Sequence, residues 1–177
     1  MKKILFLAAL ALLASCQKND NDTSQDEDRK EQNKALQNEL TSNKDGWKLT
    51  YIAEDGSTGG YQFLMKFGDD GTVTMTSDIS STTTPTATSY STQEKNEALV
   101  LSFIGQNYLH QLADAIKGNA ANGLSGKVYQ FQYAGKEGNN LKFLNLLKSS
   151  KPTLVFEPAT ANDWSNIDAF VANLNPI

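Results

Sequence analysis

Between Gly46 and Asp78 the chain alternates apolar and polar residues in three consecutive runs. Trp47, Leu49 and Tyr51 alternate with Lys48 and Thr50; Tyr61, Phe63, Met65 and Phe67 with Gln62 and Lys66; Val73 and Met75 with Thr72, Thr74 and Thr76. A period of two with one apolar face predicts antiparallel strands whose sheet is buried on one side. The connections, Glu54 to Gly60 and Gly68 to Gly71, supply the glycines that hairpins use for positive φ. They are too short for a helical crossover, so neighbours in sequence are expected to be neighbours in the sheet.

Further strands follow the same rule. Ser77 to Gln93 is dense in Ser and Thr, with a proline at Pro85, which predicts a long loop and then a polar edge strand over Thr86 to Thr92. Leu99, Leu101 and Phe103 form a fifth strand, apolar on both faces over part of its length and therefore central. Tyr129, Phe131 and Tyr133 pair with Leu141, Phe143 and Asn145 around Gly135 to Asn140, and Leu154 with Phe156 make a last strand. The count is about eight strands in sequential order. The echo of Tyr61-Gln62-Phe63 in Tyr129-Gln130-Phe131 is too short to mark a repeat.

Three segments switch to a helical period. Ser24 and Glu27 suit a capping box for a helix running to about Thr41, with a thin stripe of Ala35, Leu36 and Leu40. Leu109, Leu112, Ala113 and Ile116 fall on one face of a helix over Tyr108 to Lys117, which Asn107 can cap. Trp164, Ile167, Val171 and Leu174 stripe a final helix over Asn162 to Leu174, with Asn162 as its expected cap. The expected fold is all-β with minor helices, an antiparallel meander of about eight strands closing into a lipocalin-like up-and-down barrel, which removes exposed edges. An open two-sheet β-sandwich is the alternative.

The first residues lie outside that core. Lys2 and Lys3 precede an apolar run, Ile4 to Leu13, long enough for a signal-peptide hydrophobic region and too short to span a bilayer. It ends in Leu13-Ala14-Ser15-Cys16, which resembles a bacterial lipobox, with the Cys16 thiol as the lipid acceptor. The expected organisation is a signal peptide over 1–15, a lipidated cysteine with a polar tether over 16–24, and a single β-rich domain over 25–177. Cys16-Gln17-Lys18-Asn19-Asp20 resembles the surface-export signal of Bacteroidota lipoproteins, although Asn19 interrupts its acidic part.

Cys16 is the single cysteine of the 177 residues, so once lipidated it leaves no disulfide and no thiol chemistry. Removing residues 1–15 takes Lys2 and Lys3 with it and moves the net charge from −4 to −6. An acidic domain argues against nucleic acid as a partner and against electrostatic adsorption to anionic lipid, leaving acyl chains as the anchor.

Candidate chemistry is sparse. His110, the lone histidine, has no second histidine or cysteine for a zinc site, and no serine lies in a nucleophile elbow for a triad. It reads as a packing or surface residue. Glu54, Asp55, Glu94, Glu97, Glu137, Glu157 and Asp163 are available for a two-carboxylate mechanism, but most fall in expected loops, where acids are ordinarily just solvated. Asp69-Asp70-Gly71 reads as a turn, without the spaced oxygen ligands of a calcium loop. No catalytic residue, metal ligand or cofactor is assigned. For ligand binding the candidates are Tyr90, Tyr108, Tyr133 and Trp164, aromatic residues near loops that can stack on a sugar ring. Tyr90, in the polar strand, is the surface candidate; Trp164, on a helical stripe, is expected to be packed.

Taken in order, the lipobox cysteine, the Gly46 to Asp55 opening, Gly59 to Phe67, Gly71 to Asp78, Ser89-Tyr90-Ser91, Leu99 to Phe103, Asn107 to His110 and Thr153 to Thr160 before Asp163-Trp164 resemble a family of Bacteroidota lipoproteins, domain of unknown function 4302. The resemblance covers roughly Leu36 to Trp164. It implies an outer-membrane lipoprotein, often encoded with nutrient-uptake systems of the starch-utilisation type, and it carries no catalytic residues. Family members are longer, so this chain is expected to represent the first domain. It also departs from the family's acidic Asp-Phe-Glu-Phe strand with Val128-Tyr129-Gln130-Phe131. The expected role is a non-catalytic binding or accessory lipoprotein in glycan acquisition, held to the membrane at Cys16, with a glycan or an outer-membrane uptake complex as partner. The alternatives are a lipocalin-like carrier of a small apolar ligand or a protease inhibitor, and then a carboxylate-dependent glycoside hydrolase.

Overall fold

The computed structural model describes residues 20–52, 60–79, 83–111, 130–146 and 153–167. Eight strands, β1 (Trp47–Ile52), β2 (Gly60–Phe67), β3 (Thr72–Ser77), β4 (Thr86–Lys95), β5 (Ala98–Ile104), β6 (Gln130–Glu137), β7 (Asn140–Asn145) and β8 (Thr153–Pro158), pair antiparallel in sequence order and close into a barrel. Closure comes from β1 pairing with β8 through Trp47–Pro158, Lys48–Glu157 and Leu49–Phe156. The up-and-down barrel is therefore the fold, and the open sandwich is set aside. One strand differs from expectation: β4 bonds to β3 on one side and to β5 on the other, so it is no edge.

Inward faces follow the alternation. Trp47, Leu49, Tyr51, Phe63, Met65, Phe67, Val73, Met75, Leu101, Phe103, Phe131, Leu141, Phe143 and Phe156 form one buried cluster. Its rings touch in series around the barrel: Phe67 to Phe103 at 6.1 Å between centroids, Phe103 to Phe131 at 6.0 Å, Phe131 to Phe156 at 6.3 Å and Phe156 to Phe143 at 4.5 Å. Edge-on and tilted contacts of this kind add to the stabilisation that burial itself provides.

Three tight turns mark one end of the barrel: Gly68 to Gly71, Asn96-Glu97 and Gly138-Asn139. A helix, α1 (Asp20–Ser42), lies over that end. Leu36 and Leu40, two members of the expected stripe, are buried in the barrel cluster, whereas Ala35 is exposed. Arg29 Nε pairs with Glu94 on β4 at 3.1 Å, and Lys136 Nζ on β6 with Glu39 at 2.7 Å. The helix begins at Asp20, so Ser24 does not cap it and residues 20–24, expected as tether, are helical. Acidic residues in a first turn complement the helix dipole, which favours this earlier start. At the far end emerge the longer connections, including a short helix, α2 (Tyr108–Gln111). Asn107 caps α2 as expected, its Oδ1 accepting from Leu109 N at 3.0 Å and His110 N at 3.3 Å. Leu112, Ala113 and Ile116 fall outside the described residues.

The seam between β1 and β8 is clasped from outside. Asn43 Nδ2 donates to Gly46 O at 2.6 Å and to Ala159 O at 3.3 Å, while Ala159 N donates to Gly46 O at 2.9 Å. A third helix, α3 (Ala161–Ser165), follows β8 and covers Leu64, which points outward from β2 into a small second cluster with Ala159, Ile167 and Trp164. Its cap is Thr160, in a capping box with Asp163, and Asn162 lies within the helix. Burial alone would raise the Asp163 pKa, but the Thr160 hydroxyl and N–H, with Lys48 Nζ at 3.3 Å, outweigh it and hold the carboxyl below its ordinary value. Among the described residues no helix is long and apolar enough to cross a membrane.

Candidate functional site

The four aromatic candidates go to four different environments. Tyr90 faces inward, 6 % exposed, edge-on to Phe67 at 4.9 Å, with its hydroxyl donating to Gly68 O at 2.8 Å. It is a core residue, which corrects its reading as the surface candidate: Thr88, Tyr90 and Thr92 share the inner face of β4, and only the tyrosine is large enough to fill it. Tyr108 is likewise buried, its hydroxyl donating to Thr84 O at 2.7 Å and fastening α2 to the β3–β4 connection. Neither offers a ring to a ligand.

Tyr133 and Trp164 remain half-buried and line separate grooves. Tyr133 packs against Phe143 and contributes to a groove of about 450 Å³ between α1 and the β4–β5 turn, with Gln32, Leu36, Glu39, Glu97 and Gln132. The two acids suggest carboxylate chemistry, but Glu39 is already paired with Lys136. Glu97 is exposed in the β4–β5 turn, and four further candidate acids are engaged in structural contacts, Glu94 with Arg29, Glu137 with Lys142, and Glu157 and Asp163 with Lys48. Glu54 and Asp55 fall outside the described residues, as does Cys16. Asp70 Oδ1 accepts from Thr72 N at 2.9 Å and from Thr72 Oγ1 at 2.6 Å, the turn expected of that segment.

Trp164 sits on α3 with its indole Nε1 donating to Asp45 O at 2.7 Å and its ring packed on the Leu64–Ala159–Ile167 cluster. Both contacts fix the ring's position. Beside it runs a groove of about 370 Å³ lined by Asp45, Lys66, Thr74, Pro85, Ala161 and Trp164. Lys66 and Thr74 face one another across β2 and β3 on the outer wall, as the alternation dictates. A fixed aromatic ring, an ammonium, a hydroxyl and a carboxylate thus share one concavity, which suits a flat ligand rich in hydroxyl groups. Asp45, Lys66, Thr74 and Pro85 had no signal marking them as a site in the sequence, because only the docking of α3 against the barrel wall brings them to Trp164.

One buried acid stands apart. Asp78, 8 % exposed, accepts Gln62 N on Oδ1 at 2.8 Å, and its Oδ2 has no hydrogen-bond partner among the described residues. Burial raises its pKa, against the opposing Gln62 N–H. A raised native pKa means that the folded protein holds this proton more tightly than the unfolded chain does. Its contribution to stability is therefore full in acid and lost as pH rises through the native value. Asp78→Asn keeps the acceptor for Gln62 N and removes the titration. The variant is expected to gain stability relative to wild type between pH 4 and neutral pH, measured by urea melts across that range; a constant difference would contradict the assignment.

The sequence model of the family described as domain of unknown function 4302 matches residues 21–175. The chain belongs to this family. No curated protein and no solved structure matches it. The domain of unknown function 4302 is thus represented here by a closed eight-stranded barrel with α1 over one end and α3 over the seam.

Proposed function

We propose that this member of the family is an outer-membrane lipoprotein, anchored through Cys16 and facing the cell exterior, that acts as a non-catalytic binding or accessory module in glycan acquisition. The observation that carries the reading is the Trp164 groove: an indole held by Asp45 O at 2.7 Å, next to Lys66 and Thr74. Sugar rings stack on such a surface while their hydroxyls bond to flanking polar groups. The aromatic packing of the barrel interior favours this outer-wall site over an enclosed one, as a carrier would need.

The test is binding of the soluble domain to a panel of neutral and acidic glycans, with Trp164→Ala alongside. The variant is expected to lose at least about tenfold in affinity, the equivalent of about 1.4 kcal/mol, for any glycan the wild type retains. Undiminished binding by the variant would remove the groove from the reading, and no binding by the wild type would remove glycans. For the anchor, Cys16→Ala is expected to yield a folded protein released from the membrane fraction, and membrane retention of that variant would overturn it.

A further inference from the structure

We propose that α1 is a rigid strut that orients the barrel on its anchor, so that the α1 end faces the membrane and the far end faces outward. The proposal rests on Cys16 as the attachment point. Three residues separate Cys16 from Asp20, the first residue of α1, a distance of at most about 14 Å even when fully extended. From Asp20 the helix continues unbroken to Ser42. From Arg29 onward it is fastened to strands on different sides of the barrel. Arg29 pairs with Glu94 on β4, Glu39 with Lys136 on β6, and Leu40 O accepts the indole N–H of Trp47 on β1 at 2.7 Å. Leu36 and Leu40 enter the core between these points.

A helix attached at one strand would swing; attached at three, it moves with the barrel. The part preceding Arg29 overhangs by about 14 Å at 1.5 Å per residue. The backbone of Arg29, whose side chain reaches the rim at Glu94, therefore lies within about 28 Å of the anchor, and the far end lies up to about 20 Å beyond the rim, the length of a six-residue strand. Adsorption does not compete with this geometry. Over its whole length α1 carries seven acidic residues against three basic ones, Arg29, Lys30 and Lys34, and Arg29 is paired with Glu94, so the helix offers no strongly basic face to anionic lipid. The strut leaves the far end of the barrel, and the Trp164 groove on the flank, turned away from the membrane.

The experiment uses the chain from Cys16 onward, coupled through its only thiol to maleimide lipid in phosphatidylcholine vesicles. A fluorescent amino acid replaces either Asn139, in the exposed turn at the α1 end, or Gln106, exposed at the far end, and energy transfer is measured to a dye in the lipid headgroups. Transfer from position 139 is expected to exceed that from position 106 by about twofold or more, because a strand length of about 20 Å separates the two ends. A long Gly/Ser insert after Asn19 should abolish the difference. Equal or reversed transfer, or a difference that survives the insert, would overturn the strut. Because the coupling is chemical, a failure of cells to lipidate Cys16 would sink the anchor and leave the orientation result standing.

Discussion

Trp47→Ala is expected to cost about 3 to 5 kcal/mol, the range for truncating a buried aromatic, in a domain whose whole stability is of order 5 to 15 kcal/mol. Trp47 is 2 % exposed at the mouth of β1, between Leu36 and Leu40 of α1 and the barrel cluster. Its indole N–H satisfies Leu40 O at 2.7 Å, one of the carbonyls that a helix C-terminus leaves unpaired. Truncation removes the ring and strands that carbonyl in the core, so two penalties act together. Trp47→Phe separates them: it refills most of the volume, loses only the hydrogen bond, and should cost about 1 to 2 kcal/mol. Trp164→Ala should cost less than Trp47→Ala, because Trp164 is half-exposed and α3 can fray without opening the barrel. Urea denaturation ranks all three. Near-wild-type stability for Trp47→Ala would mean that the α1 end holds together without its plug.

Gly46→Ala is expected to be comparably severe, about 3 kcal/mol or more, for a reason unrelated to volume lost. Gly46 has φ +76, which L residues avoid, and a Cβ there would run into Met65 O and come within 2.9 Å of Lys66 Cα on the neighbouring strand. Backbone in a barrel wall cannot yield as a flexible side chain would. Gly71 supplies the control: its φ is +80, but the nearest atom to an added Cβ is Tyr90 O at 3.6 Å, an ordinary contact. Gly71→Ala should therefore cost only the conformational part, about 1 to 2 kcal/mol. Gly46→Asn distinguishes the causes further, since asparagine tolerates positive φ but still carries a Cβ. If Gly46→Asn recovers most of the stability, the contact with β2 is not what reserves the position for glycine.

The barrel was legible because alternation is a local signal. Trp47-Lys48-Leu49-Thr50-Tyr51 states its register outright, and β2, β3, β5, β7 and β8 do so nearly as well. Where threonine supplies the inner face, the signal fades. On β4 the inward residues include Thr88, Tyr90 and Thr92, so a strand paired on both sides looks like a polar edge. Its turn with β5 is also silent, because Asn96 (φ 52) and Glu97 (φ 61) adopt the left-handed conformations of a two-residue hairpin without a glycine. The site was less legible still. Tyr90, Tyr108 and Trp164 look alike in sequence, and what separates them is the acceptor each finds: Gly68 O, Thr84 O and, 119 residues away, Asp45 O.

The clasped seam bears on how the chain folds. Each of β2 to β7 pairs with strands adjacent to it in sequence, so hairpins can form progressively, only the β5–β6 pair having to close a long connection, over 105–129. The contact of Asn43 with Ala159 joins residues 116 apart, and until β8 arrives the bonding edge of β1 has no partner on that side. Ring closure is thus the slow, high-contact-order step. The intermediate before it presents two unpaired strands, each competent to pair with another molecule. Refolding yield should accordingly fall with protein concentration more steeply for a chain cut before Thr153 than for the whole one, because the shortened chain can never complete the ring.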